Sequence, residues 1–265
     1  MIDLHSHLLP GIDDGAKTLD ESLAMARIAV ADGIHTMACT PHIYPGMYMN
    51  DGPGIAKARA RLQAELDQHG IALRLVVGAD VHLVPGLIDG LRSGQVPTLH
   101  GSRYFLLEPS HTTPPPQLEA SVFNLITEGY TPIITHPERL SWVESHYPVF
   151  LRLIEQGAWM QVTAGALTGV FGKRARYWGE RFIGEGHTHL LATDAHSTGR
   201  RLPRLTEGLN VARRLVGDHE ASRLVIERPA AVLDNLPPQD FGLTPTEAVR
   251  TSMVGSWYSR RRSLV

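Results

Sequence analysis

Short apolar runs alternate with longer segments of helical period along the whole chain, and this alternation predicts an α/β fold built on a parallel sheet. Seven such runs in 265 residues fit a closed or nearly closed (β/α) barrel, with a doubly wound open sheet as the alternative. Six of the seven runs end in histidine or carboxylate. In a parallel barrel those ends open on one face, so residues far apart in sequence would converge there.

In chain order, strands are expected over 1–5, 36–40, 73–77, 104–107, 132–135, 159–162 and 189–193. Helices are expected over 19–32, 54–69, 118–128, 148–156, 172–185 and 203–216. Thr18 followed by Glu21 reads as a capping box, and Gly33, Gly70, Gly129, Gly157 and Gly217 stand where helix stops are expected. No composition shift or low-complexity linker divides the chain, and Pro114-Pro115-Pro116 shapes a loop. One domain over 1–265 is therefore expected, with a mobile tail from about residue 250.

The 25 Lys+Arg nearly balance the 27 Asp+Glu, and the formal net charge is -2. Such a chain has no field to hold a nucleic-acid backbone or an anionic membrane, so an anionic ligand must be gripped by a few local groups. Arg260 to Arg262 form the only block of like charge and read as a solvated tail. Met1 leads straight into the Ile2 strand, without a basic leader or a long apolar segment, and no later run approaches a membrane span. A cytoplasmic location is expected. The single cysteine, Cys39, excludes an intrachain disulfide and every multi-cysteine metal site.

The strand exits read Asp3-Leu4-His5-Ser6-His7, Cys39-Thr40-Pro41-His42, Gly78-Ala79-Asp80, Leu106-Leu107-Glu108, Thr135-His136-Pro137-Glu138-Arg139 and Thr193-Asp194-Ala195-His196. A strand's period of two puts Asp3, His5 and His7 on one face, with Ile2 and Leu4 packing on the other. Imidazole and carboxylate without thiolate suit zinc, manganese or iron, and so many donors imply more than one ion. Taken singly each motif has a plainer reading. Asp80 and Glu108 could be salt-bridged strand ends, Asp14 could be turn chemistry beside Gly15, and His187 with His189 reads as a chance pair. Together they weigh the other way, because a buried cluster of this kind without metal carries heavy desolvation and repulsion costs. His35, His69, His82, His100, His111, His146 and His219 default to surface or core packing.

The run from Ile2 to Lys17, the Ala38-Cys39-Thr40-Pro41-His42 stretch, His136-Pro137-Glu138-Arg139 and Thr193-Asp194-Ala195-His196 together resemble the PHP (polymerase and histidinol phosphatase) superfamily. Within it they are similar to the bacterial metal-dependent protein tyrosine phosphatases of capsular and exopolysaccharide clusters. The motifs extend to about residue 203. The resemblance implies a distorted (β/α)7 barrel with three divalent ions at the C-terminal strand ends, manganese being usual and iron or zinc also fitting. His5, His7, Asp80 and Asp194 would hold one ion, Asp80, Glu108 and His136 a second, and Asp14, His42 and His196 a third, with Asp13 the alternative to Asp14. The family usually has Glu where Asp80 stands, and the Glu108-Pro109-Ser110 exit lacks the family's aromatic-proline pair.

The resemblance further implies that Arg139 and Arg201 bind phosphate, with Arg200 competing for the second role. Each guanidinium can fork onto a pair of phosphate oxygens. The nucleophile would be metal-bound hydroxide, and the substrate a phosphotyrosine protein such as a bacterial tyrosine kinase. A cysteine-dependent phosphatase is excluded, since it needs Arg six residues after its Cys, and Pro45 stands there after Cys39. No phosphate-cradling glycine loop for nucleotides is present. The competing functions are hydrolysis of histidinol phosphate or another small phosphomonoester, a nuclease, and a non-catalytic metal-binding scaffold.

Overall fold

The apolar runs form strands and the segments between them coil. The computed structural model describes residues 1–241. Its elements are β1 (Ile2–Asp3), α1 (Leu19–Ala31), β2 (Thr36–Cys39), β3 (His42–Tyr44), β4 (Tyr48–Met49), α2 (Gly52–Gln68), β5 (Arg74–Val77), β6 (Asp80–His82), α3 (Leu87–Ser93), β7 (Tyr104–Glu108), α4 (Leu118–Thr127), β8 (Thr131–Thr135), α5 (Val143–Gln156), β9 (Trp159–Thr163), α6 (Ala164–Leu167), α7 (Gly172–Gly184), β10 (Leu190–Ala192), α8 (Thr206–Val225) and α9 (Glu227–Leu233). The tail expected from about residue 250, with Arg260 to Arg262, lies outside the described residues.

Two sheets run β1-β2-β5 and β10-β9-β8-β7-β6-β3-β4. Their pairs are parallel except the β3–β4 hairpin. Only Thr40 and Pro41 separate β2 from β3, and only Gly78 and Ala79 separate β5 from β6. Gly78 N donates to Cys39 O at 3.0 Å and Asp80 N to Pro41 O at 3.2 Å, so pairing carries across both interruptions. At the far margins, Ser6 bridges Ala195. His7 N donates to Ala195 O and Asp194 N to His5 O, each at 2.9 Å. The expected α/β class and parallel order are present, but regular pairing in the first strand stops at Asp3, two residues early. The two sheets therefore meet at this seam through isolated bonds, not through one uninterrupted ladder.

One apolar cluster draws on both sheets: Leu4, Ala38, Val76, Leu106, Ile133, Trp159 and Leu190 are all buried together, with Val232 of α9 among them. Each side chain of this size contributes about 1.5–3 kcal/mol on burial. A larger cluster, including Met37, Phe105, Ile134 and Met160, packs the strands' other faces against the helices. The polar strand exits are thus left at one end of the inner core.

Local chemistry explains the helix limits. Thr18 Oγ1 accepts from Glu21 N at 3.2 Å, and Glu21 Oε2 accepts from Lys17 N at 2.9 Å. α2 begins at Gly52, earlier than expected, because Asp51 caps it through Gly54 N at 2.7 Å and Pro53 fits a first turn that needs no N–H. α5 runs through Pro148, which was expected to begin it, and His146 leaves helical dihedrals two residues before the proline. Gly157 closes α5 with φ 111°, as expected of a helix stop. Gly217, with φ 83°, interrupts α8 without ending it.

Candidate metal centre

The cluster is built on the shortened first strand. After Asp3 the chain passes beside Ala195, and His5 and His7 turn inward, both fully buried. His5 Nδ1 is 2.7 Å from Gln161 Oε1. His7 Nδ1 is 2.7 Å from Asp13 Oδ2. With each Nδ1 engaged, the two Nε2 atoms face one another at 3.3 Å. Two imidazole nitrogens pointing together suit a shared or bridging cation. The loop that delivers Asp13 needs a glycine beside it: a Cβ on Gly15 would stand 2.1 Å from His7 O. Gly15 N donates to Asp13 Oδ1 at 2.9 Å.

The other exits close around this pair. Asp80 Oδ2 and Asp194 Oδ1 are each 3.3 Å from His5 Nε2. Asp14 Oδ1 is 3.3 Å from His196 Nε2 and 3.5 Å from His42 Nε2. Glu108 Oε1 is 3.4 Å from His136 Nε2, and its Oε2 is 3.4 Å from His42 Nδ1. His136 and Asp194 take left-handed backbone conformations, with φ 36° and 50°. Such dihedrals are costly away from glycine, and here they sit at two of the exits whose side chains turn inward.

Electrostatics follow from burial and neighbours. Burial lowers the pKa of His42 and His136 and takes His196 down to about 4, so these rings are neutral donors near neutral pH. At His7 burial acts the same way, but hydrogen bonds to Asp13 and Asp194 outweigh it and raise the ring to about 10. Asp194 is held well below the usual carboxylate range: burial opposes this, and His5 and Arg201 more than offset it. Glu138 is pushed up to about 7 by burial, and accepts from Thr163 N at 2.9 Å. It braces the loop after β8 instead of joining the cluster.

The donor set fits divalent ions. Both Asp80 oxygens and Nδ1 of His42 and of His136 are buried without a hydrogen-bond partner, and leaving such a group unmade costs about 1–3 kcal/mol. Among the described residues, five groupings place their ligand atoms within 4.8 Å of one another: His7, Asp14, His42, His196; His5, His7, Asp80; His5, His136, Asp194; His42, His82, Glu108; and Glu108, His111, His136.

All nine expected ligands, His5, His7, Asp14, His42, Asp80, Glu108, His136, Asp194 and His196, thus come together. Asp14, the first choice over Asp13, faces His42 and His196, while Asp13 orients His7. Other details differ from expectation. His82 and His111, assigned to surface or packing, lie 2.7 and 3.0 Å from Glu108. His82 sits two residues past Asp80 on β6, and that period of two was the signal available for it; His111 lies in a loop with no such signal. Asp3 does not share the face of His5: the chain leaves strand geometry after it, and its carboxylate accepts from Thr193 N at 3.1 Å. Arg201 reaches the cluster, whereas Arg200 is exposed and donates to Val170 O at 2.9 Å.

Arg139 and Arg201 both donate to Asp194 Oδ2, and both guanidinium groups lie over the Phe171 ring, at 4.3 and 5.8 Å. They stand at the edge of an open cleft of about 240 Å³ whose lining includes Asp14, His42, Glu108, His136 and Asp194. The arrangement offers adjacent cation-binding donors and two forked cations in one concavity, which suits a phosphomonoester.

The family model for capsular polysaccharide synthesis, CpsB/CapC, matches residues 1–234. Tyrosine-protein phosphatase YwqE of Bacillus subtilis (strain 168) is 32% identical over 244 residues, covering 90% of this chain and 96% of its own. Among solved structures, one from the pair YwqE of Bacillus subtilis and CpsB of Streptococcus pneumoniae, metal-dependent tyrosine phosphatases, matches with TM-score 0.86 and 32% identity, over 89% of this chain and 96% of that one. Histidinol phosphate phosphatase of Lactococcus lactis, at 12% identity, TM-score 0.53 and coverage of 83% and 93%, shares the fold.

Proposed function

The chain belongs to the CpsB/CapC family of capsular polysaccharide synthesis, and from that premise we propose that it is a metal-dependent protein tyrosine phosphatase. The observation that carries the reading is the convergence of nine histidines and carboxylates, five of which line one cleft with Arg139 and Arg201. The reaction adds water to the phosphoryl group and breaks its bond to the tyrosyl oxygen, releasing inorganic phosphate and the phenol. Arg139 and Arg201 hold two phosphoryl oxygens, and Asp194 and Phe171 keep the guanidinium planes aimed. Asp13 and Gln161 fix the tautomers of His7 and His5 so that Nε2 faces the cluster in each.

Three divalent ions, manganese with iron or zinc as substitutes, fit the donors. His5, His7, Asp80 and Asp194 would hold one, Asp80, Glu108 and His136 a second, and Asp14, His42 and His196 a third, with His82 and His111 supporting Glu108. When bound, such ions supply an activated water near neutral pH and positive charge against the phosphoryl oxygens. The substrate in this reading is a phosphotyrosine protein of capsule or exopolysaccharide synthesis, a bacterial tyrosine kinase, met in the cytoplasm. Among the described residues no helix is long and apolar enough to cross a membrane.

Phosphate release from a phosphotyrosine peptide and from histidinol phosphate, with the protein demetallated and then reloaded with manganese, tests the proposal. Manganese-dependent turnover that favours the peptide is expected. Preference for histidinol phosphate would favour a small-molecule phosphatase, and a metal-loaded protein inert toward both would favour a scaffold.

A further inference from the structure

Seven large apolar side chains are exposed among the described residues, and three of them, Tyr44, Met47 and Met49, belong to the β3–β4 hairpin. This hairpin begins at the ligand His42 and turns at Pro45 and Gly46, where Met47 N donates to Tyr44 O at 2.9 Å. Strand alternation puts His42 and Tyr44 on one side and Ile43, packed on the core, on the other. Tyr48 pairs across from Tyr44. The rings lie flat on the outer histidines: Tyr44 on His82 at 3.9 Å and 16°, and Tyr48 on His42 at 5.5 Å and 19°. Tyr44, Met47 and Tyr48 line the same cleft as Arg139 and Arg201. Asn50 ties the hairpin's base down, donating to Ile12 O at 3.0 Å and His42 O at 2.9 Å.

Resting on the phosphatase reading above, we propose that Tyr44, Met47 and Tyr48 form the aryl subsite, the surface that receives the phenyl ring of phosphotyrosine and so selects aryl over alkyl phosphomonoesters. A phosphoryl group held on the arginines sends its ester substituent along the cleft, and the apolar hairpin lines that same cleft. Two aromatic faces and a thioether are the groups that favour an aromatic ring over an alkyl chain. The exposure of Tyr44 and Met47 beside a polar cluster is otherwise unfavourable, and continuity with the phosphate-holding arginines identifies the occupant.

The test uses the manganese-loaded full chain and calorimetric binding of phenylphosphonate and methylphosphonate to wild type, Met47→Ala and Tyr44→Leu. Wild type is expected to prefer the phenyl compound, and each variant to lose about threefold to tenfold of that preference, with manganese content retained. A wild type without phenyl preference, or variants that keep it, would overturn the aryl subsite. Turnover of a phosphotyrosine peptide by the same wild-type sample is read separately: its absence would sink the phosphatase reading and leave the binding ratio to decide the subsite.

Discussion

His7 Nδ1 lies 2.7 Å from Asp13 Oδ2, which leaves His7 only Nε2 to offer a cation. A carboxylate in this position fixes the ring's orientation and raises its basicity, and losing it costs about 10–100-fold in metal affinity. Asp13→Asn is expected to weaken manganese binding by about that factor. Asp14→Ala, which removes a donor outright, is expected to weaken it further. Calorimetric titration of manganese into demetallated protein checks both. Equal affinity in wild type and Asp13→Asn would mean that His7 needs no orienting partner.

Removal of metal and modification of thiol should have opposite consequences. Cys39 is buried within β2, and burial pushes its thiol up to about 12, so little reactive thiolate exists between pH 7 and 9. Exhaustive chelation is expected to reduce phosphotyrosine hydrolysis more than about 100-fold, reversibly with manganese. Iodoacetamide at pH 8 should leave the rate unaffected. Inactivation by the alkylating agent with full metal content retained would contradict this chemistry.

Much of the site was legible because strand exits carry their own signals. His42, Asp80, Glu108, His136 and Asp194 each follow or end an apolar run, and parallel pairing brings such ends together whatever their separation in sequence. His111 was not legible: it lies in an irregular loop, and its 3.0 Å approach to Glu108 depends on that loop's path. Asp14 ranks ahead of Asp13 through the family resemblance alone. Adjacent carboxylates have the same chemistry, and only the turn at Gly15 decides which one meets His7. In the fold, α5 was read short because Pro148 is a usual helix start, whereas the deviation at His146 lets the helix pass through it. β3 and β4 were missed because a two- to three-residue strand carries too few residues to display a period.

Replacing the arginines separates transition-state stabilisation from folding. Arg139 and Arg201 share one oxygen of Asp194 and one ring, Phe171. A hydrogen bond to a charged group contributes about 1.5–3 kcal/mol. Arg139→Ala and Arg201→Ala are each expected to lower kcat by about 10–100-fold and to raise KM, with manganese content unchanged. Because they share partners, the double variant should lose less than the product of the two single losses. Steady-state kinetics of the four proteins give the comparison, and unaltered kcat in both single variants would return these side chains to ordinary surface charge.

Asp80 occupies the position where reach matters most. Both of its oxygens are buried without a hydrogen-bond partner, and Oδ2 stands 3.3 Å from His5 Nε2 and 3.6 Å from His42 Nδ1, between the histidines of separate groupings. A carboxylate serving two cations also screens their mutual repulsion, so Asp80→Ala is expected to lose bound metal and to lower turnover by more than about 100-fold. Asp80→Glu restores the charge on a stem one methylene longer, but β6 is paired on both sides, through His42↔Asp80 and Asp80↔Leu106, and cannot easily retreat to make room. The Glu variant is therefore expected to keep its metals with turnover between those of Asp80→Ala and wild type. Metal stoichiometry measured beside turnover in both variants decides the point: wild-type metal content and rate in Asp80→Ala would remove Asp80 from the ligands and leave Glu108, which faces His42 and His136, as the bridging carboxylate.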